Sequence, residues 1–374
     1  MKNQDEFIRV LQITGGMDMG GIENFIMNIY RNIDRTKVQF DFLIHQEEKQ
    51  IFEDEILSLG GKIYRIPSLG KVGHFGYLKA LRKFFIEHLE YKIVHSHYNA
   101  VSGIILREAK KCKVKKTISH SHIAYPKYRF FEKIYKNYSK SFIKKNADIK
   151  FACSKLAGEW LYKKNSNFKV INNGIEPLKY KYNLDKRIEK RKELVLDKSD
   201  IVVGHVGRLD EQKNHKFLIE IFSELVKINN NYKLFLIGTG ELEKEIKEQI
   251  ENLNLRDNAE LLGVRKDVNE LLQVFDIFLF PSLYEGLPVT LVEAQGAGLK
   301  CFISDTVTKE IDLECGLTEF ISLEKSPKEW AEIIDKNREY ERKDTVEALR
   351  SHGYDMTQNA KELEDLYIKL YENN

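Results

Sequence analysis

The chain has 374 residues, 42% of them hydrophobic, with 60 lysines and arginines against 57 acids for a net charge of +3. That is more chain than one hydrophobic core usually serves, so two domains are expected in an ordinary soluble globular protein. The four scattered cysteines form no Cys-x-x-Cys pair, no apolar run reaches membrane-spanning length, and the polar lead Met1–Glu6 is not a signal peptide, which together predict a reduced, cytoplasmic protein.

Short apolar runs alternate with helical patterns from end to end, the pattern of doubly wound parallel α/β sheets. In the first half, strands are expected at Ile8 to Ile13, Gln39 to Ile44, Lys62 to Ile66, Ile93 to Ser96, Lys116 to His120, Ile149 to Cys153 and Lys169 to Asn172. Between the first two, Ile22, Phe25, Ile26, Ile29, Tyr30 and Ile33 recur at helical spacing. The charged stretch Tyr180 to Asp200 is poor in apolar residues and precedes a fresh strand, so the junction is placed there, giving domains at 1–180 and 181–354. Strands follow at Ile201 to Val206, Lys233 to Ile237, Ala259 to Leu262, Ile277 to Phe280, Lys300 to Ser304 and Thr318 to Ile321, with helices at Phe217 to Lys227 and Leu242 to Leu253. A last helix, Thr357 to Tyr371, either finishes the second domain or crosses back to the first.

Charge is uneven along this order. From Lys110 to Lys150 there are 13 lysines and arginines and two acids, +11 in all, which leaves −8 for the remainder and asks for an anionic partner. Phe131, Tyr135, Tyr138 and Phe142 there fall on one face of a helix, with Lys133, Lys136, Lys140 and Lys144 beside them. Two readings stand: a helix lying on an anionic membrane face, or aromatics packed into the core beneath solvated lysines.

Several turns carry chemistry. The first strand runs into Gly15, Gly16, Gly20 and Gly21, more glycines than a tight turn needs, at a helix start whose N–H groups suit an anion. Their spacing is not that of a nicotinamide dinucleotide site. His95 and His97, then His120 and His122, close two successive strands at the edge where open sheets bind ligands. Arg208 and Lys213 flank the turn after Gly207 and could neutralise a diphosphate. Gly238 and Gly240 mark another strand-to-helix turn, and Val264 and Arg265 a strand-end loop able to face a nucleobase. Glu285 and Glu293 bracket Gly286, Leu287, Pro288 and Val289 between an apolar strand and a helix; the plainer alternative makes Glu285 a helix cap and Glu293 a solvated charge.

Taken in order, these residues resemble the retaining glycosyltransferases of the GT-B fold, specifically the large family 4 (GT4) of bacterial polysaccharide and lipid-linked enzymes. The marks are Gly20-Gly21-x-Glu23, the histidine pairs, Asn173-Gly174-Ile175, Val206-Gly207-Arg208-Leu209 with Lys213-Asn214, Gly238-Thr239-Gly240, and the Glu-x7-Glu spacing of Glu285 and Glu293. The resemblance implies two Rossmann-like domains facing across a crevice, an acceptor-binding first domain to which the C-terminal helix returns, and a nucleotide-sugar-binding second domain. It implies that Arg208 and Lys213 bind the donor diphosphate, Glu285 the donor sugar and Glu293 the ribose. His120 would lie near the reacting sugar, with His122 also possible and His95 and His97 on the acceptor side. Gly16, Gly20, Gly21, Asn173, Gly207, Gly238, Gly240, Val264, Arg265, Tyr284 and the turn Gly286–Val289 would contact the donor.

The implied reaction is same-face transfer in which a phosphate oxygen takes the acceptor's proton, with no cofactor and no metal, in keeping with the absence of an Asp-x-Asp pair. The expected donor is a UDP-sugar, with GDP-mannose open. The expected acceptor is a polyprenyl-diphosphate-linked saccharide at the anionic inner face of the plasma membrane, with no nucleic-acid partner. Rivals are a GT-B-fold UDP-sugar 2-epimerase or phosphorylase and a non-catalytic sugar-nucleotide-binding protein. Each should lack the set Arg208, Lys213, Glu285 and Glu293.

Overall fold

A computed structural model describes residues 7–18, 20–123 and 129–373. The Met1–Glu6 lead, Met19 of the glycine run and the Phe131 side chain lie outside the described residues. The chain forms two compact units, one of residues 1–174 with 356–374, the other Ile175–Asp355.

The first unit holds a parallel seven-stranded sheet: β1 (Ile8–Ile13), β2 (Val38–Ile44), β3 (Ile63–Arg65), β4 (Ile93–Ser96), β5 (Lys116–Ser121), β6 (Ile149–Ala152) and β7 (Lys169–Val170), in the order β3-β2-β1-β4-β5-β6-β7. Its inner strands are largely buried because helices cover both faces, whereas the edge strand β3 is half-buried and the edge strand β7 is exposed. One face packs Phe25, Ile26, Ile29 and Tyr30 of the helix Gly21–Asn32 on Val10 and Phe40, and the other packs Tyr77, Leu81, Phe85 and Ile104 on Leu11 and Val94. The C-terminal helix Met356–Glu372 belongs to this unit: Met356, Ala360, Leu363 and Tyr367 join its core, and Glu364 accepts the Asp34 N–H at 2.7 Å.

The second unit holds a parallel six-stranded sheet: β8 (Ile201–Val206), β9 (Tyr232–Ile237), β10 (Ala259–Gly263), β11 (Ile277–Phe280), β12 (Lys300–Ser304) and β13 (Thr318–Ile321), in the order β10-β9-β8-β11-β12-β13. Strand order reverses between β1 and β4 in one sheet and between β8 and β11 in the other. At such a switch point the flanking connections leave in opposite directions and open a crevice at the carboxyl edge.

The chain changes unit at Gly174, close to the expected boundary at 180, and the charged stretch contributes the helix Leu184–Glu193 to the second unit. Its guanidiniums replace the missing apolar contacts: Arg187 donates to the carbonyls of Gln273, Val274 and Phe275 at 2.9, 2.7 and 3.0 Å, capping the helix Val268–Val274, and pairs with Asp276 at 2.5 Å.

The basic helix, Phe130–Ser141, also departs from expectation. Tyr135 and Phe142 turn into the first unit's core, while the stripe left exposed is Phe130, Ile134 and Tyr138, with Phe75 of the helix Leu69–Glu87 beside Ile134 and Tyr138. Lys136 and Lys140 are not outward-facing as expected. Lys136 is half-buried, and Lys140 donates to the Trp160 carbonyl with its ammonium 4.7 Å from the Trp160 ring centre. Burial lowers the pKa of both. Lys133 and Lys144 remain exposed. Among the described residues no helix is long and apolar enough to cross a membrane.

Because Arg187 satisfies three carbonyls and one carboxylate, Arg187→Ala should lower the unfolding free energy by about 2 kcal/mol. Urea unfolding followed by fluorescence measures this, and an unchanged midpoint would mean that the helix docks without its arginine.

Candidate active site

In the second unit the loops leaving β8 and β11 are stitched together across the switch point. Leu283 N–H donates to the Gln212 carbonyl at 2.9 Å, and the Asn214 side chain donates to the Pro281 carbonyl at 3.1 Å. Asn214 takes the left-handed conformation, φ 57°, that turns the chain into the helix His215–Ile228. This stitching sets Lys213 Nζ 2.7 Å from Glu285 Oε1, with Gln212 donating to Oε2 at 3.0 Å and the Phe280 ring centre 4.9 Å from the ammonium. The side chains of Lys213 and Glu285 are only 14% and 7% exposed, so this is an enclosed ion pair. Arg208, one residue beyond Gly207, stays exposed.

Glu285 is not a helix cap: that position belongs to Pro288, and the helix runs Val289–Gly296. Before its first turn Gly286 faces open space, since a Cβ there would meet nothing within 4 Å. Ser282 Oγ and Thr290 Oγ1 are buried beside this turn without a partner. Leu287 and Val289 are half-buried and Tyr284 is exposed.

Glu293 is likewise no solvated charge. Its Oε1 accepts from the Tyr180 hydroxyl at 2.7 Å, and burial pushes its carboxyl pKa up to about 7, with the Tyr180 hydrogen bond opposing. The glycines after β9 have a packing explanation. A Cβ on Gly238, at φ 139°, would stand 1.9 Å from the Gly207 carbonyl oxygen, and one on Gly240 would stand 2.2 Å from that of Leu209. They let the β8 and β9 loops touch backbone to backbone, so neither glycine needs a ligand to explain it. The Arg265 guanidinium is engaged by Asp267 at 2.8 and 2.7 Å, and neighbouring Val264 is exposed.

In the first unit, Gly20 precedes the helix Gly21–Asn32 and Gly21 faces open space, whereas Gly16 lies against the Gln46 and Gln50 side chains. Asn173 Oδ1 is buried without a partner. The four histidines gather at the β4 and β5 ends. His95, His97 and His120 are buried, and His122 is the partly exposed member. The Phe25 ring lies 5.1 Å from His120 and 5.5 Å from His122, centre to centre. Burial lowers the pKa of all four, that of His122 to about 3, so each ring is neutral at physiological pH.

Ligating atoms of His95, His97 and His120 come within 4.8 Å of one another. The His95 and His120 rings stack, inclined by 7°, His97 is tilted by 31° and 33° to them, and both His97 nitrogens are already bonded, to His122 at 2.8 Å and to Gln12 at 2.9 Å.

Three contributors escape the sequence reading. Tyr180 precedes Glu293 by 113 residues, and Gln212 was hidden between the cations Arg208 and Lys213. Gln12 had a visible signal: it is the one amide in the otherwise apolar run Val10 to Ile13 of the central strand.

Comparison with known proteins agrees with this architecture. Residues 19–178 match the family described as Glycosyltransferase Family 4, and residues 186–354 match Glycosyl transferases group 1. EpsF of Bacillus subtilis, named as a glycosyltransferase, is 34% identical over 372 residues, 96% of each chain. The capsular polysaccharide biosynthesis glycosyltransferase CapH of Staphylococcus aureus is 25% identical over 96% of this chain and 99% of its own. An Escherichia coli UDP-Gal:alpha-D-GlcNAc-diphosphoundecaprenol alpha-1,3-galactosyltransferase is 34% identical over 39% of this chain and 38% of its own. Among solved structures, Anabaena HepE in complex with UDP shares the fold with a TM-score of 0.72 at 18% identity, covering 98% of both chains.

Glu293 makes a prediction of its own. A carboxyl that ionises near 4.5 when unfolded and near 7 when folded keeps its proton in the folded state over that interval. Its contribution to stability is therefore full below pH 4.5 and lost as pH rises through 7, by up to about 3 kcal/mol. Glu293→Gln carries no such titration. Urea unfolding should show wild type losing ground to this variant as pH rises, and a difference that does not vary with pH would mean that the carboxyl ionises normally.

Proposed function

The chain belongs to the family 4 glycosyltransferases of the GT-B fold, and from that membership we propose a retaining, metal-independent enzyme that moves a sugar from a UDP-sugar to a lipid-linked saccharide. The observation that carries the reading is the enclosed Lys213–Glu285 pair at the β8–β11 switch point. An ion pair inside the protein persists only where geometry and hydrogen bonds offset its desolvation, and here both partners face the carboxyl edge where sheets of this order take ligands.

In the proposed reaction Arg208 and Lys213 stabilise the diphosphate as it leaves. Lys213 then divides its three N–H groups between phosphate and Glu285, and Glu285, held by Gln212, takes a hydroxyl of the donor sugar. Glu293 takes the ribose hydroxyls in place of the Tyr180 hydroxyl. The acceptor oxygen bonds to the anomeric carbon on the face that the diphosphate quits, and its proton passes to a phosphate oxygen. In the first unit His122 suits a sugar hydroxyl better than His120, because His120 is fully buried within β5 while His122 follows its end. Uridine as the base and a diphosphate-linked lipid as the acceptor draw support from HepE's complex with UDP and from the substrates named for the Escherichia coli relative.

The lipid-linked acceptor also suits the exposed stripe Phe130, Ile134 and Tyr138 with Phe75, flanked by Lys133, where a peripheral enzyme would rest on an anionic membrane.

Incubation with UDP-, GDP- and ADP-sugars in the presence of EDTA, followed by product analysis, tests the donor and the metal independence together. Transfer from a UDP-sugar is expected, and transfer that needs added Mg2+ would overturn the metal-free reading. Glu285→Gln should lower turnover by about 10²–10³-fold while UDP affinity stays nearly unchanged. For the membrane, the double variant Phe130→Ser with Ile134→Ser should lose flotation with vesicles rich in anionic lipid, whereas Lys140→Glu should matter mainly to folding. Undiminished flotation of the double variant would place membrane contact elsewhere.

A further inference from the structure

The histidine cluster of the first unit has a directional hydrogen-bond chain. Gln12 on β1 presents Oε1 to His97 Nε2 at 2.9 Å, and His97 Nδ1 stands 2.8 Å from His122 Nε2. An amide oxygen only accepts, so His97 must carry its proton on Nε2. A neutral His97 then has its lone pair on Nδ1, which obliges His122 to donate from Nε2. The remaining nitrogen, His122 Nδ1, is left with a lone pair, and it is buried without a protein partner. The backbone of His122 is fixed independently: its N–H donates at 2.8 Å to the side-chain oxygen of Asn99, a residue in the left-handed conformation at φ 47°.

We propose that Gln12 and His97 are positioning residues that lock His122 in its Nε2–H tautomer, leaving Nδ1 at the end of β5 as the acceptor for a substrate hydroxyl. The lock stands on these contacts alone, and the hydroxyl rests on the glycosyltransferase reading. The relay is made of side chains on β1 and at the exits of β4 and β5. Its two inner members lie where β1 and β4 run in register, Gln12 opposite His95, with His97 N–H bonded at 2.8 Å to the Ile13 carbonyl. Strand pairing therefore holds the relay rigid, and only the last ring stands at the sheet edge. With the Gln12 amide oxygen turned to His97, any other arrangement of protons leaves two donors or two lone pairs facing each other in a dry site. Neutrality of the rings is required, since a protonated His97 would turn Nδ1 into a donor and reverse the last link.

The test is long-range 15N–1H correlation on protein labelled at histidine. In the wild-type chain His97 and His122 should both show the Nε2–H pattern. Gln12→Met conserves length and removes the acceptor, and should convert His122 to a mixture of tautomers. His97→Leu should do the same and keeps the test open if the first variant fails to fold. An Nδ1–H His122 in wild type, or a His122 pattern unmoved by either substitution, overturns the lock. In turnover with the best UDP-sugar, Gln12→Met should lose at least about tenfold in kcat with the donor KM unchanged. Unchanged kcat beside scrambled tautomers overturns the hydroxyl role. Titration of UDP on the same variants separates this from the function itself: a wild-type chain that binds no uridine nucleotide fails the donor assignment, whatever its tautomers.

Discussion

A parallel strand can be re-entered only from its far end, so the chain must leave every strand at one edge of the sheet and return by a helix over one face. That constraint collects the carboxyl ends of β1, β4 and β5 in one unit and of β8 and β11 in the other, and Gln12, His97, His122, Arg208 and Glu285 all lie in a strand or just beyond its carboxyl end. Where strand order reverses, neighbouring connections part and no helix covers the edge. Lys213 and Glu285 come from loops 72 residues apart and meet because β8 and β11 are hydrogen-bonded neighbours. Gln12 and His97 meet across β1 and β4 for the same reason.

Charge is the part of this site that a sequence reports least faithfully. A count of cations makes Arg208, Lys213 and Arg265 equivalent, and the structure separates them. Arg265 is engaged by Asp267, Lys213 is held by Glu285, and Arg208 stands exposed. The basic helix teaches the same point: of four lysines at helical spacing, burial takes Lys136 and Lys140 out of the set that could face an anionic surface. Formal charge is additive along a chain, whereas available charge depends on partners that spacing does not reveal.

The sheets themselves were legible. Among the described residues all thirteen expected strands form, with ends moved by a few residues at most, because the inner strands are covered on both faces and carry apolar side chains. The Gly-Leu-Pro turn and the two glutamates were legible as well, since strand, turn and helix are local. What stayed hidden needed tertiary contacts. Nothing near Tyr180 announces a bond to Glu293, and the helix Leu184–Glu193 was not expected because arginine-to-carbonyl bonds, not apolar burial, dock it. The doubled histidine pattern pointed to the right strands and could not say which ring lies outermost, a question that burial decides.

One further regularity is found in each unit. Buried side-chain nitrogens and oxygens without a partner are costly, about 1–3 kcal/mol each, and a fold that tolerated them at random would scatter them. Among the described residues they fall on Gln12, His95, His120 and His122, on Asn173 just beyond β7, and on His205, His215, Ser282 and Thr290 around the ends of β8 and β11. Unmet hydrogen-bonding capacity concentrated at the switch points is what a surface shaped for a polar, hydroxyl-rich ligand must carry, because groups already satisfied by the protein have nothing left to offer. The same atoms that weaken the fold are those with the most to gain from a substrate.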